Sequence, residues 1–283
     1  IITLIASLIC TKYKVLKILL FTFSLFTVLA ILKTLVQKYI GFDTYEIRWL
    51  NSGGATTHLI RSGTRYFSFF TDASNMGSNM GGASMILGIS SLFMRNKAFK
   101  IYYAIVATAS LYAMMLSGTR GAIIVPLAGL ALYTVISKQT RSILIGTISL
   151  TLIYIFFAFT MIGQGNATIR RMRTAFKPNE DASYIVRKEN QKRLKEYLKY
   201  KPFGEGLGLS GDGLGAKVSK RFTTSIPTDS WYVKIWVETG VVGLILYMGM
   251  ILITIARGTW ILMFNVHDPE LKGILTGWLC AIF

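Results

Sequence analysis

Apolar stretches nearly free of charge recur along the chain at 18–32, 101–116, 122–136, 143–162 and 239–256, separated by polar breaks. A helix that crosses a bilayer needs about 20 mostly apolar residues. With polar ends allowed for, the pattern predicts full spans near 15–36, 76–94, 101–118, 120–137, 142–162 and 231–256. Partial spans fall at 1–11 and 273–283. This is the pattern of an all-α, polytopic transmembrane helical bundle. The chain opens on Ile1 rather than Met, and both end runs are too short to span. Residues 1–283 therefore read as a single integral-membrane domain, a fragment of a longer chain.

The alternation of spans puts residues 12–17, 95–100, 138–141 and 257–272 on one side. All four segments carry Lys or Arg, and by the positive-inside rule that side is cytoplasmic. Residues 37–75, the tight 117–122 turn and the large loop 163–230 then lie outside. The large loop is basic too, but loops of that length cross a membrane largely regardless of charge. The balance of 31 basic against 13 acidic residues gives a formal charge of +18, in a chain that is 52% hydrophobic. In a soluble protein such a charge suggests nucleic acid. Between spans it points to membrane lipid and anionic substrate instead, with no nucleic acid. Cys10 and Cys280 make no disulfide framework, and His58 and His267 lack ligand spacing, so neither metal nor cofactor is expected.

The large loop has its own organisation. Residues 178–181 look like a helix start, with acids where the helix dipole favours them. Residues 182–200 read as one helix. Ile185, Leu194 and Leu198 form a thin apolar face, and Arg187, Lys188, Lys192, Arg193, Lys195 and Lys199 a basic one. Lys201-Pro202-Phe203-Gly204 ends it. The glycine run 204–215 reads as a flexible or turn-rich link, not a dinucleotide fingerprint, because no strand precedes it.

The most informative residue is Arg120, in Ser117-Gly118-Thr119-Arg120-Gly121-Ala122 between two apolar runs. An intramembrane arginine either snorkels to the headgroups or holds an anion. Gly118 and Gly121 favour the second, since they allow close approach. Arg187 and Arg193 on the basic helix are either solvated charges or phosphate contacts, a task that suits the planar guanidinium fork. Asp229, in Pro227-Thr228-Asp229-Ser230-Trp231-Tyr232, is either a helix cap or a general base. Tyr232, with Trp231 and Trp236, forms an interfacial aromatic belt or touches substrate. Glu238 lies four residues after Lys234 and is placed to pair with it on one helix face. Arg65, before the span 76–94, is a juxtamembrane cation or a further anion contact.

Taken in order, these strings resemble the O-antigen ligase and polymerase family. Ser-Gly-Thr-Arg-Gly-Ala leads into an apolar span. An outer loop with an Arg-bearing helix follows, then Pro202-Phe203-Gly204-Glu205-Gly206-Leu207-Gly208, then a polar-aromatic helix start running into Glu238-Thr239-Gly240-Val241-Val242-Gly243-Leu244. The resemblance covers roughly residues 65–256. It implies a GT-C-like bundle with one large extracytoplasmic (periplasmic) loop carrying the basic helix, in the bacterial inner membrane. It implies a metal-independent glycosyltransferase that moves a glycan en bloc from undecaprenyl diphosphate to a glycan or lipid-core acceptor. The product is polymerised or ligated surface polysaccharide of the O-antigen or capsule type. Arg120, Arg187 and Asp229 are then the catalytic candidates, and Arg65, Arg193, Tyr232 and Glu238 the substrate contacts. One departure matters. Family ligases usually carry His-Asn or His-Ser after the long loop, where this chain has Asp229-Ser230, which points toward a polymerase or a branch of the family with a different acceptor. The competing expectation is a lipid-linked oligosaccharide flippase or other polytopic transporter.

Overall fold

A computed structural model describes residues 12–60, 63–138, 140–176, 182–211, 217–228 and 230–282. Two compact units divide them: residues up to Phe176 together with those from Gly258 onward, and the residues between. The first unit opens with α1 (Tyr13–Tyr39), followed by the short helices α2 (Thr44–Trp49) and α3 (Ala55–His58). A small hairpin pairs β1 (Leu59–Ile60) antiparallel with β2 (Gly63–Thr64), Leu59 opposite Thr64. Then come α4 (Ala73–Phe93), α5 (Lys97–Leu116), a 3-10 turn at Arg120–Ile123, α6 (Ile124–Ser137), α7 (Thr140–Phe159) and α8 (Ala167–Arg173). The second unit holds α9 (Ala182–Tyr197) and most of α10 (Trp231–Phe264), whose last turns rejoin the first unit ahead of α11 (Pro269–Cys280). Among the described residues, the helices at Tyr13–Tyr39, Lys97–Leu116, Arg120–Ser137 and Trp231–Phe264 are long and apolar enough to cross a membrane. The chain is an all-α, multi-pass membrane protein.

Local signals set the helix starts. Asp72 accepts from the amides of Ser74 and Asn75 at the head of α4, and Asn96 and Asp268 cap α5 and α11 in the same way. The expected span 76–94 is α4, but its setting differs from a lipid-facing helix. Met80 through Leu87 are all buried, within a core shared with α1, α5, α6 and α11. Neighbouring helices, not lipid, surround α4, so small and polar residues are tolerated. Ser84, for example, donates to the Gly81 carbonyl at 2.6 Å. Gly77 matters for the site. A Cβ there would lie 2.5 Å from Ser117 Oγ, so only glycine lets α4 meet the turn after α5 this closely.

In the second unit, Leu194 and Leu198 form a small core with Ile226 and Val237. Ile185 does not join them; it is 56% exposed, and the apolar face of α9 is confined to its last turns. The expected helix start at 178–181 lies outside the described residues. The glycine run is turn-rich, with positive φ at Gly204, Gly206, Gly208 and Gly211, but it is no loose link. Its first half is bonded to the break in α10 at Gly240. Glu205 N–H donates to Val237 O at 2.9 Å, Gly206 N–H to Glu238 O at 3.1 Å, and Val242 N–H to Pro202 O at 3.2 Å.

Candidate functional site

Arg120 stands on the first residue of the 3-10 turn, half-buried, and its Nη1 donates to Thr174 Oγ1 at 3.0 Å. Thr174 follows α8, so Arg120 and the start of the 163–230 segment sit at the same end of the first unit. The turn itself is tightly specified. Ser117 Oγ donates to Met114 O at 2.7 Å and accepts from Thr119 N–H at 3.1 Å. Gly118 takes φ +59, and its carbonyl accepts from Arg171 Nε at 2.5 Å. Thr119 Oγ1 donates to Ala73 O at 2.9 Å, tying the turn to the head of α4.

Arg65 is turned inward to the same turn. It donates to Ser117 O (3.3 Å), Thr57 O (3.0 Å), Ser74 Oγ (3.2 Å) and Thr119 Oγ1 (3.0 Å). The planar fork that suits phosphate here braces three segments at once. The two residues after Tyr66 are fixed by Gln37, a buried amide in the last turns of α1. Gln37 Oε1 accepts from Phe67 N–H (3.2 Å) and Ser68 N–H (2.9 Å), while its Nε2 donates to Glu46 Oε1 (2.8 Å) and Ser68 O (3.3 Å). His58 supports the other flank. Its Nδ1 faces Gly54 O at 3.0 Å and its Nε2 accepts from Ala73 N–H at 3.1 Å. That arrangement needs a neutral ring, and burial accordingly pushes its pKa below the ordinary value.

Around this turn the structure gathers cations that the sequence pattern did not single out. Arg171 and Lys38 line a cavity of about 180 Å³ with Tyr66, Leu116, Gly118 and Thr168. Arg173, buried, donates to the carbonyls of Thr160 and Ile162 at the end of α7 and lies over the Phe156 ring. A Gln-Lys pair in the last turn of an apolar span, and an Arg-Arg pair just after another, were the available signals.

The remaining candidates lie in the second unit. Arg187 and Arg193 are exposed on α9, Arg193 at 3.7 Å from Glu189. Tyr232 is exposed, its ring 6.2 Å from that of Tyr247. Glu238 does not pair with Lys234. Its Oε1 accepts from Ser210 Oγ at 2.5 Å, and Lys234 lies over the Trp231 ring instead. Asp229 lies outside the described residues. Glu205, which the sequence offered only as part of a motif, sits between Lys201 and Arg221, each 2.6 Å away. Burial would raise its pKa, but those two cations hold it below the usual carboxylate range.

A multi-pass bundle with arginines and a lysine gathered about one turn at a helix end is a membrane protein that concentrates positive charge at that turn. The pattern that defines the O-antigen ligase family matches residues 104–248, just over half of the chain, and takes in both the Ser117–Arg120 turn and the Glu205–Gly240 region. The chain belongs to the O-antigen ligase family, whose members process lipid-linked glycans as ligases or polymerases. No curated protein and no solved structure matches it.

Proposed function

We propose that the chain is a metal-independent glycosyltransferase of the GT-C type that works at the periplasmic face of the bacterial inner membrane. It transfers a glycan en bloc from undecaprenyl diphosphate to a sugar hydroxyl. The acceptor oxygen bonds to the anomeric carbon, the bond from that carbon to the diphosphate breaks, and the acceptor proton is lost. Negative charge builds on the leaving diphosphate, so fixed cations stabilise the transition state more than the ground state. The observation that carries this reading is the clustering, inside and around the family-defining span, of Arg120, Arg171 and Lys38 about one glycine turn.

In this reading Arg120 holds the departing diphosphate, and Arg187 adds a second guanidinium fork. Asp229 orients or deprotonates the acceptor. A carboxylate is by its chemistry a weak base, so positioning outweighs basicity. Arg193, Tyr232 and Glu238 contact glycan or acceptor. Arg65 serves the same chemistry from behind, by fixing the turn that carries Arg120. Aspartate in place of the family histidine favours a polymerase, or a branch of the family with a different acceptor, over a ligase.

The test is transfer by purified protein supplied with a defined undecaprenyl-diphosphate glycan. Longer lipid-linked chains are expected, and a glycosylated lipid core would instead mark a ligase. Arg120→Lys should slow transfer about 100- to 1000-fold with folding intact, because a point charge replaces a two-pronged donor. Flipping of the lipid without any new glycosidic bond would overturn the enzyme reading.

A further inference from the structure

Lys38 closes the last turn of α1, and its ammonium is caged by aromatic rings. Nζ lies 4.9 Å from the Tyr39 ring centroid and 5.0 Å from that of Tyr112, and it donates to the Tyr112 hydroxyl at 2.5 Å. The Tyr39 hydroxyl is a second hydrogen-bonding partner of the ammonium. An ammonium has three donors, so with two tyrosine hydroxyls bonded one is left for a ligand. Lys38 also lines the 180 Å³ cavity that reaches Gly118 and Arg171.

Tyr112 belongs to a second feature. With Ile101, Ala104, Ile105, Thr108 and Ala109 it lines a shallow apolar groove of about 560 Å³ on the outer face of α5. These residues follow a helical stripe. At 1.5 Å per residue the stripe runs about 16 Å from Ile101 to Tyr112. Ile101 and Ile105 are 61% and 63% exposed, on a helix apolar enough to face lipid. Tyr112 therefore ends an apolar groove and touches the cation at the cavity. A water-soluble phosphate has no use for the groove, and a neutral isoprenoid has none for the ammonium. An amphiphile with a long apolar chain and a phosphate head uses both.

We propose that this pair of features is the donor's head-and-tail subsite, with the polyprenyl chain along the α5 stripe and a diphosphate oxygen on Lys38. This inference rests on the function proposed above, and it assigns Lys38 as a substrate-binding residue and Tyr112 as the residue that positions it. The stripe delivers the lipid from the bilayer, and the cavity brings its head beside the Ser117–Arg120 turn.

The experiment measures binding of fluorescent undecaprenyl diphosphate to the full chain in phosphatidylcholine nanodiscs, alongside transfer. Lys38→Gln should weaken binding about tenfold, the loss of one charge-assisted contact, and Lys38→Arg should restore most of it. Ile105→Trp fills the groove from an exposed position where folding is not at stake. It should weaken the fluorescent lipid while leaving competition by inorganic diphosphate unchanged. Wild-type binding in both Lys38→Gln and Ile105→Trp would overturn the subsite. So would displacement of the probe by phosphatidylglycerol at equal mole fraction, which would mark a site for ordinary phospholipid. The two readings fail separately. Loss of transfer in Arg120→Lys beside normal binding and transfer in Lys38→Gln removes only the subsite. Lys38-dependent binding by a protein that forms no glycosidic bond removes only the enzyme.

Discussion

Two family motifs in this chain look alike as strings and differ as structures. Ser117-Gly118-Thr119-Arg120 and the Gly204–Gly208 run with Gly240 both place glycines at positive φ. At the first, the backbone turns beside a cavity, and the cations there reach carbonyls, hydroxyls and rings: Arg171 to Gly118 O, Arg65 to Ser117 O, Lys38 to Tyr112. At the second, no room is left where Gly204 meets Gly240. A Cβ on Gly240 would stand 2.0 Å from Pro202 O, and a Cβ on Gly204 would stand 2.5 Å from Gly240 N. The nearby cations Lys201 and Arg221 are matched by the carboxylate of Glu205. One motif borders a cavity lined by cations, and the other locks two backbones together. Spacing alone does not tell these uses apart; what surrounds each glycine does.

The contrast is easiest to break at the lock. Gly240→Ala cannot keep φ +69 and the 2.0 Å approach to Pro202 O together. It should destabilise the protein by at least ~3 kcal/mol, as strain plus overpacking, visible as a collapsed yield of monodisperse protein in detergent. A normal yield and melting curve would show that the lock is not as tight as drawn. Glu205→Gln should cost less, about 1–3 kcal/mol, because it leaves a nearly buried partner for Lys201 and Arg221 without its charge. Thermal unfolding reads this directly. Gly118→Ala should cost about 1–2 kcal/mol for the left-handed residue. A Cβ there also comes within 3.2 Å of Arg171 Nε, so transfer should fall more than stability does.

Acid should separate the two regions. His58 is held neutral by burial, with its pKa below the ordinary 6.5. Its unfolded form takes up a proton first, so the stability it gives the turn is full above that value and declines as pH falls below it. Glu205 is held ionised, with its pKa below the ordinary 4.5. The lock therefore keeps that contribution down to about there and loses it as pH falls through the depressed value. Hydrogen exchange of the Ala73 amide should lose protection at a higher pH than that of the Glu205 and Gly206 amides, once corrected for intrinsic rates. The reverse order would contradict both assignments. The smallest effect is expected from Arg193→Ala. Its pair with Glu189 is exposed and one turn apart, worth no more than ~0.5 kcal/mol, so an unchanged melting temperature is the expected result.

Much of the bundle was legible because long apolar runs have few alternatives to crossing a membrane. Helices α1, α5 and α6 follow those runs closely, and the turn at Arg120 falls at the break between two of them. The burial of α4 was not legible, because small and polar residues become acceptable only once four other helices surround them. Gln37 and Lys38 are two adjacent polar residues at the end of a span. Nothing in the periodicity says that one is buried and bonded four ways while the other lines a cavity. The apolar face of α9 was overdrawn at Ile185, and the pairing of Lys234 with Glu238 lost to Ser210, a partner distant in sequence.

The most direct test sets the two motifs side by side: the transfer rate per folded molecule of Arg120→Lys and of Glu205→Gln, measured at saturating undecaprenyl-diphosphate glycan. The expected result is a loss of about 100-fold or more for Arg120→Lys, with Glu205→Gln close to wild type once unfolded protein is discounted. A wild-type rate in Arg120→Lys, or an equal loss in both, would contradict the assignment of the anion site to the Ser117–Arg120 turn.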